Sequence, residues 1–248
     1  MHPLPLVVLF VASLWAGAQN ALAGGGSFIT LPSLMLTGLD ARAANITSTV
    51  ALFPAQVAMG WTGRRNVSGA GGLSFRALVI VSLIGGALGA ILLLVTPTSF
   101  FAHLVPWLVL FATMVFAWGS FGPKREGASH LDYRLALAAQ FGISIYGGYF
   151  GGGIGFLMLA ALTAAGLAVR NAGATKNALA AVMNASAALI FVFSPDVRWF
   201  QASVACAGAI IGGVAGAHML NRTNDRVLRI VIVCVGVALT AGLFLQAS

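Results

Sequence analysis

The sequence predicts an all-α polytopic membrane protein made of two inverted repeats of five elements each. The prediction rests on composition, on an internal match between the two halves, and on glycine runs that precede two short apolar segments. Of the 248 residues, 59% are hydrophobic and only 7% are charged, and the mean hydropathy is +0.97. A soluble domain carries about 25% charged residues, so the composition favours helices that span a bilayer.

The net charge of +8 raises the question of a nucleic-acid partner. The high hydropathy makes basic loops beside an anionic lipid surface the better explanation, and no nucleic acid is expected. The lipid bilayer is therefore the first predicted partner.

Ten apolar segments follow one another along the chain. Seven are about as long as a bilayer span, and 104–120 is marginal. Residues 27–39 and 153–168 cover only about 20–24 Å at ~1.5 Å per residue, so we expect about eight full spans and two short helices. The segments are 4–22, 27–39, 43–61, 75–95, 104–120, 133–150, 153–168, 172–193, 199–219 and 228–246.

The chain matches itself when it is shifted by 128 residues. GGGSFITLPSLMLTGLDARAANITST from Gly24 then lies over GGIGFLMLAALTAAGLAVRNAGATKN from Gly152. Paired halves of this kind are common in secondary transporters. The pairs that match include Gly24 and Gly152, Gly25 and Gly153, Phe28 and Phe156, Gly38 and Gly166, Arg42 and Arg170, and Thr47 and Thr175.

The distribution of Lys and Arg predicts the topology of each broken unit. If the chain enters the membrane at 131, breaks, and returns by 168, eleven of the 13 cationic residues share one face. A single crossing would divide them seven to six, and cytoplasmic loops carry the excess of positive charge. We therefore predict repeats at 1–122 and 131–248, a cytoplasmic linker at 123–130, and both termini on the periplasmic side.

The glycine runs precede the short segments and carry the functional prediction. Irregular backbone is tolerated at membrane depth only where it is packed in protein or lines a wet cavity. Helix N-termini bind anions, and two inverted copies would direct two such ends to the centre. Close helix packing is the alternative role for these glycines.

Polar residues beside these breaks complete the predicted site. Lys176 lies in an apolar helix, where a charge is costly, and it either coordinates an anion or extends to the cytoplasmic surface. The hydroxyl and amide residues either bind substrate, cap helix ends, or join helices. The candidate substrate-binding residues are Gly24, Gly25, Gly26, Ser27, Asn45, Thr47, Ser48, Gln56, Gly152, Gly153, Thr175, Lys176, Asn177 and Asn184.

The residues that cation transport, proton relays, hydrolysis and metal binding require are missing from the expected positions. All five acidic residues lie near segment ends or in loops, which argues against cation transport and a carboxylate proton relay. The hydrolase and zinc motifs GxSxG and HExxH are absent, and Cys206 and Cys234 have no metal-ligand spacing. We expect no enzyme activity, no catalytic residues, no cofactor and no metal.

With these residues in view, the chain resembles the sulfite exporter TauE/SafE family, also called the toluene sulfonate uptake permease family. The resemblance covers nearly the whole chain and is carried by GGGSFITLPSLMLTGL, by TS at 47–48, by GGGIGFLMLAAL and by ATKNALAAVMNASA. Thr175, Lys176 and Asn184 fall where the family usually shows them. DARAANITST departs from the family's usual lead before TS, which leaves the role of Asn45 open.

The resemblance implies transport of sulfite or organosulfonates across the bacterial inner membrane, by export or import. The residues themselves predict only an anion transporter, with the site between the two halves and access that alternates between the two faces. A channel-like anion pore, a carrier of another small organic anion and a non-transporting scaffold are the alternatives. A homodimer is left open.

Overall fold

The computed structural model describes residues 3–22, 25–121, 132–219 and 225–247. These residues form ten α-helices and one turn of 3-10 helix at Arg64–Asn66, and they form no β-strand. The helices are α1 (Pro3–Leu22), α2 (Ser27–Met35), α3 (Ala41–Thr62), α4 (Phe75–Val95), α5 (Thr98–Phe121), α6 (Tyr133–Tyr149), α7 (Ile154–Ala164), α8 (Val169–Phe191), α9 (Trp199–Met219) and α10 (Asp225–Ala247).

The all-helical prediction is confirmed, and the bounds of α4 and α9 equal the predicted segments. The short helices are shorter than predicted, because a turn follows each one. Gly38 and Gly166 take φ values of 92° and 94° in these turns, a region that glycine enters without steric cost. The helix α5 begins at Thr98 instead of Leu104, and its first turn is closed by the Phe101 amide, which donates to the Pro97 carbonyl over 3.0 Å.

Glycines bring two pairs of helices into backbone contact. In α4 and α6, Gly86 lies against Gly148 and Gly85 lies against Ser144, so the two helices run parallel. In α1 and α9, Gly208 lies against Ser13 and Gly212 against Leu14, and these helices also run parallel. Such small residues let membrane helices approach closely.

The helices α3 and α8 cross at the centre of the bundle and run antiparallel. Asn184 Nδ2 donates to Gln56 Oε1 over 2.7 Å. Closer to the end of α3, Gly60 faces Ala178 and Ala181.

Each pair of one long and one short helix returns to the end of the bundle from which it started. The Gly71 amide, just before α4, donates to the Ala165 carbonyl, just after α7, over 3.1 Å. Because α6 runs parallel to α4, α6 begins at this same end. Five exposed arginines mark it, and we call it the basic end: Arg64, Arg65, Arg76, Arg134 and Arg170.

At the opposite end, which we call the Asp196 end, Arg42 Nη2 lies 2.7 Å from Asp196 Oδ2. Arg42 also donates to the Thr96 carbonyl over 2.9 Å. These contacts join the start of α3, the turn after α4 and the loop before α9. The returning hairpin of α1 and α2 therefore begins and ends here.

Two helical stretches of the described residues are long and apolar enough to cross a membrane by themselves. They are Phe75–Val95 and Thr98–Val115, with mean hydropathies of 2.8 and 1.7. Large apolar side chains are exposed on the outer faces of these helices, among them Ile84, Ile91 and Trp107. An apolar exterior of this kind is typical of a protein surrounded by lipid. The predicted linker, 123–130, lies outside the described residues.

Candidate functional site

The two glycine breaks meet inside the bundle, and each is covered by a phenylalanine from the other. Gly25 and Gly153 take φ values of 84° and 75°. A Cβ built on Gly25 would lie 3.4 Å from Cε2 of Phe156, and one on Gly153 would lie 3.3 Å from Cζ of Phe28. Gly25 and Gly153 are 128 residues apart in the chain, and so are Phe28 and Phe156, so the two contacts are equivalent in the two halves.

The end of α1 supplies hydrogen bonds to the first break. Asn20 Oδ1 accepts from the Gly26 amide over 2.7 Å, and Gln19 Nε2 donates to the Gly25 carbonyl over 3.3 Å. The side chains of α1 thereby replace the helical bonds that the glycine segment lacks, as buried backbone groups require.

A small, partly open cavity with a volume of about 30 Å³ lies beside these breaks, between α3 and α8. It lies on the basic-end side of the Gln56–Asn184 hydrogen bond. Its lining is rich in amide, hydroxyl and glycine groups, and the described lining residues include no carboxylate. They are Asn20, Gly25, Ser27, Gln56, Met59, Gly151, Ile154, Gly155, Lys176, Asn177 and Ala180.

Lys176 is the one cation among these described lining residues, and its side chain is only 4% exposed. Among the described residues its ammonium has neither a hydrogen-bond acceptor nor an ion-pair partner. The ion pair that these residues form joins Arg42 and Asp196. An unpaired charge removed from water is costly unless another group compensates it. The cavity therefore offers a single positive charge to an anion.

The structure brings five predicted residues together at the cavity: Gly25, Ser27, Gln56, Lys176 and Asn177. Asn184 does not line it, but orients Gln56 through the 2.7 Å hydrogen bond.

Four other predicted residues make contacts between elements instead of lining the cavity. Thr47 accepts from the Arg198 amide over 3.1 Å, and Thr175 accepts from the Ser68 amide over the same distance. Ser48 Oγ lies 2.6 Å from Thr30 Oγ1. Asn45 Nδ2 donates to the Tyr149 carbonyl over 3.1 Å. Direct substrate contacts by these four residues stay a prediction.

The remaining described glycines of the predicted site contact protein groups and do not line the cavity, and their direct contacts to substrate stay a prediction. The amide of Gly26 is held by Asn20, Gly152 lies against the ring of Phe150, and Gly153 lies beside Phe28. Gly24 lies outside the described residues.

Sequence reasoning missed the contribution of α1. Asn20 lines the cavity, as do Gly151 and Gly155 of the second break. The signal was available, since two adjacent amides, Gln19 and Asn20, end an apolar segment just before a glycine run. No metal-binding group of three or more His, Cys, Asp or Glu residues occurs among the described residues.

Comparison with known proteins decides the family. The sequence model of the family described as "Sulfite exporter TauE/SafE" matches residues 9–243, nearly the whole chain. The chain belongs to this family.

Relatives of this TauE/SafE protein carry transporter names. A "Probable membrane transporter protein" of Haemophilus influenzae is 28% identical over 244 residues, which cover 95% of this chain and 93% of the relative. "Probable membrane transporter protein YfcA" of Escherichia coli K12 is 27% identical, with coverage of 98% and 91%. "Probable membrane transporter protein ORF9" of a Sinorhizobium species is 27% identical, with coverage of 94% and 90%.

The family, these relatives and the apolar helices together support a multi-pass membrane transporter. These three relatives are named as transporters, not as enzymes.

Proposed function

We propose that this TauE/SafE protein is a secondary transporter that moves small sulfur-containing anions across the bacterial inner membrane by alternating access. The observation that carries the proposal is the buried, unpaired Lys176 in a cavity of amide and hydroxyl groups. An anion in this cavity would neutralise the ammonium and accept hydrogen bonds from its neighbours.

The inverted arrangement of two halves is supported by reciprocal contacts. Gln56 and Asn184 are 128 residues apart and bond to each other, as two equivalent residues do on a two-fold axis. The Thr175 hydroxyl donates to the Ser68 carbonyl over 3.3 Å, as that of Thr47 does to the Asp196 carbonyl over 3.5 Å. The helix α1 corresponds to α6, and α4 corresponds to α9. The parallel pair of α1 and α9 is therefore equivalent to the parallel pair of α6 and α4.

Alternating access is supported by the different packing on the two sides of this axis. The cavity beside Lys176, Asn177 and Ala180 lies towards the basic end. The equivalent positions towards the Asp196 end are Ser48, Thr49 and Leu52, where Ser48 bonds to Thr30 and Leu52 is buried. A cavity on one side and dense packing on the other favour a carrier over a continuous pore.

The sulfur-containing class of substrate is proposed from the family, which is described as sulfite exporters. The cavity chemistry supports an anion with oxygen acceptors, which sulfite and organosulfonates share. The positive-inside rule supports a cytoplasmic basic end, and hence both termini in the periplasm.

The proposal is tested by counterflow in proteoliposomes. Vesicles preloaded with unlabelled sulfite should take up external ³⁵S-sulfite transiently above equilibrium, because a carrier exchanges substrate across a closed barrier. Flux that rises without saturation and shows no counterflow would indicate a pore. Flux equal to that of protein-free vesicles for sulfite, methanesulfonate and sulfoacetate would overturn the proposal.

The proposed orientation has its own test. In a background with Cys206→Ala and Cys234→Ala, we expect an impermeant maleimide to label Ser194→Cys from the periplasm and Asn66→Cys only from the cytoplasm. Labelling of both positions from one side would contradict the returning hairpins in the membrane.

A further inference from the structure

Asn20, at the end of α1, is a residue of the cavity lining whose side-chain amide has no assigned role. The residue is 8% exposed and lines the cavity together with Lys176. Its Oδ1 accepts from the Gly26 amide over 2.7 Å. Its Nδ2 is buried and has no hydrogen-bond partner.

The orientation of this amide is fixed by chemistry. The Gly26 N–H is a donor, so the oxygen of Asn20 must face it, and the NH₂ group must face the other way. A buried donor without an acceptor costs free energy that native proteins rarely leave uncompensated. Something in the working protein therefore accepts from Nδ2.

We propose that Asn20 is a substrate-binding residue, whose Nδ2 donates a hydrogen bond to an oxygen of the anion while Lys176 supplies the neutralising charge. The inference rests on the proposed function, because it needs an anion in this cavity. It adds a ligand group from α1, so the site draws on α1, α2, α3, α7 and α8.

The pairing of one ammonium with one neutral donor limits the class of anion. The described lining residues offer one positive charge, which suits a singly charged oxyanion such as a sulfonate. Because Asn20 donates through an amide that is bonded to the glycine break, substrate binding also stabilises the break itself. Asn20 is in this sense both a binding residue and a positioning residue for Gly26.

The test replaces the Nδ2 donor of Asn20 and keeps the side-chain oxygen that accepts from the Gly26 amide. Asn20→Asp keeps an oxygen for the Gly26 amide but turns the unpaired donor into a negatively charged acceptor beside Lys176. We expect affinity for methanesulfonate, measured by titration calorimetry on purified protein in detergent, to fall more than tenfold. Because the new carboxylate can pair with Lys176, the thermal stability without anion should equal or exceed that of the wild type.

Asn66→Asp is the matched control, because it adds the same charge at an exposed position of the turn after α3. Its affinity should equal that of the wild type. Asn20→Ser provides a second measurement if Asn20→Asp does not fold. It removes the NH₂ group without adding charge, and should weaken binding about tenfold.

The outcomes separate this inference from the proposed function. Wild-type affinity in a folded Asn20→Asp or Asn20→Ser protein would overturn the role of Asn20 and leave the anion site in place. Failure of the wild-type protein to bind any of sulfite, methanesulfonate and sulfoacetate would overturn both.

Discussion

Lys176 is the residue on which the anion site depends. Its ammonium is buried beside a cavity and has no partner among the described residues. The sequence left two explanations open, anion coordination and extension to the cytoplasmic surface. The 4% exposure of the side chain favours the first.

Lys176→Met is expected to abolish anion binding without loss of folding. Methionine keeps most of the side-chain volume and removes an unpaired buried charge. The Tm of the anion-free protein should be unchanged or rise by about 2–4 °C, which corresponds to roughly 1 kcal/mol in a chain of this size. A thermal-shift titration with sulfite measures both effects.

Arg170→Met is the matched control, because it removes an exposed charge from the same helix. Its shift with sulfite should equal that of the wild type. A sulfite-dependent shift that persists in Lys176→Met would show that the ammonium does not hold the anion.

Some residues that line the cavity could be identified from the sequence, and others of the same chemistry were assigned to it although they contact other elements. Lys176 and Gln56 could be found because a charge or an amide in an apolar helix needs a reason to be there. Thr47 and Thr175 have the same chemistry, yet their hydroxyls bond to the loops before α9 and α4. Which neighbour a hydroxyl faces depends on how each helix is rotated, and no residue pattern records that.

At the scale of elements, the helix pairs depend on glycines at particular positions of each face. In α6, Gly148 lies against the backbone of Gly86, whereas Gly142 is exposed and has open space around it. The two glycines thus give a comparison within one helix.

Gly148→Ala should destabilise the protein by about 1–3 kcal/mol, because the new methyl group must push α4 away from α6. Gly142→Ala should be neutral or stabilising by roughly 0.5–1 kcal/mol, since alanine is the better helix former. Thermal denaturation of the purified proteins in detergent measures the difference. Equal effects would contradict the close packing of α4 on α6.

The bounds of the elements were largely predictable, and the exceptions have physical reasons. Segments such as 75–95 are uniformly apolar and end at polar turns, so their bounds follow from composition. The start of α5 was placed too late, because Thr98, Ser99 and His103 interrupt the apolar run. A first helical turn accepts such residues. The packing partners of α1 and α6 lie far away in the chain, and no pattern in the sequence identified them.

At the scale of the molecule, a small group of bonds joins the elements at the Asp196 end. Arg42 joins Asp196 and the Thr96 carbonyl, and Thr47 joins the loop that contains both Asp196 and Arg198. At the basic end, the position equivalent to Asp196 is Ser68, so among the described residues Arg170 has no carboxylate partner at that position. The described residues therefore make an ion pair at the Asp196 end that has no equivalent at the basic end.

Asp196→Asn should shift the population towards a form that is open at the Asp196 end. In the cysteine-free background, we expect an impermeant maleimide to label Leu52→Cys several-fold faster from the periplasm, because Leu52 is buried in the closed form. The partly exposed Arg42–Asp196 pair contributes about 0–1 kcal/mol, which fits a change of this size.

Asp132→Asn neutralises an exposed acid at the basic end and serves as the control. It should leave the labelling of Leu52→Cys unchanged. Identical rates in the wild type and Asp196→Asn would show that the ion pair does not limit opening.

The parallel packing of α1 along α9 also affects how the chain is made. Leu14 meets Gly212, about 200 residues later in the sequence, and at ~5–20 residues per second the ribosome needs roughly 10–40 s to produce that distance. During that interval Ser13, which packs against Gly208, resides in the translocon or in lipid before its final neighbour exists. Membrane insertion of the first helix must therefore be secured by its own leucines and valines, long before the finished bundle can hold it.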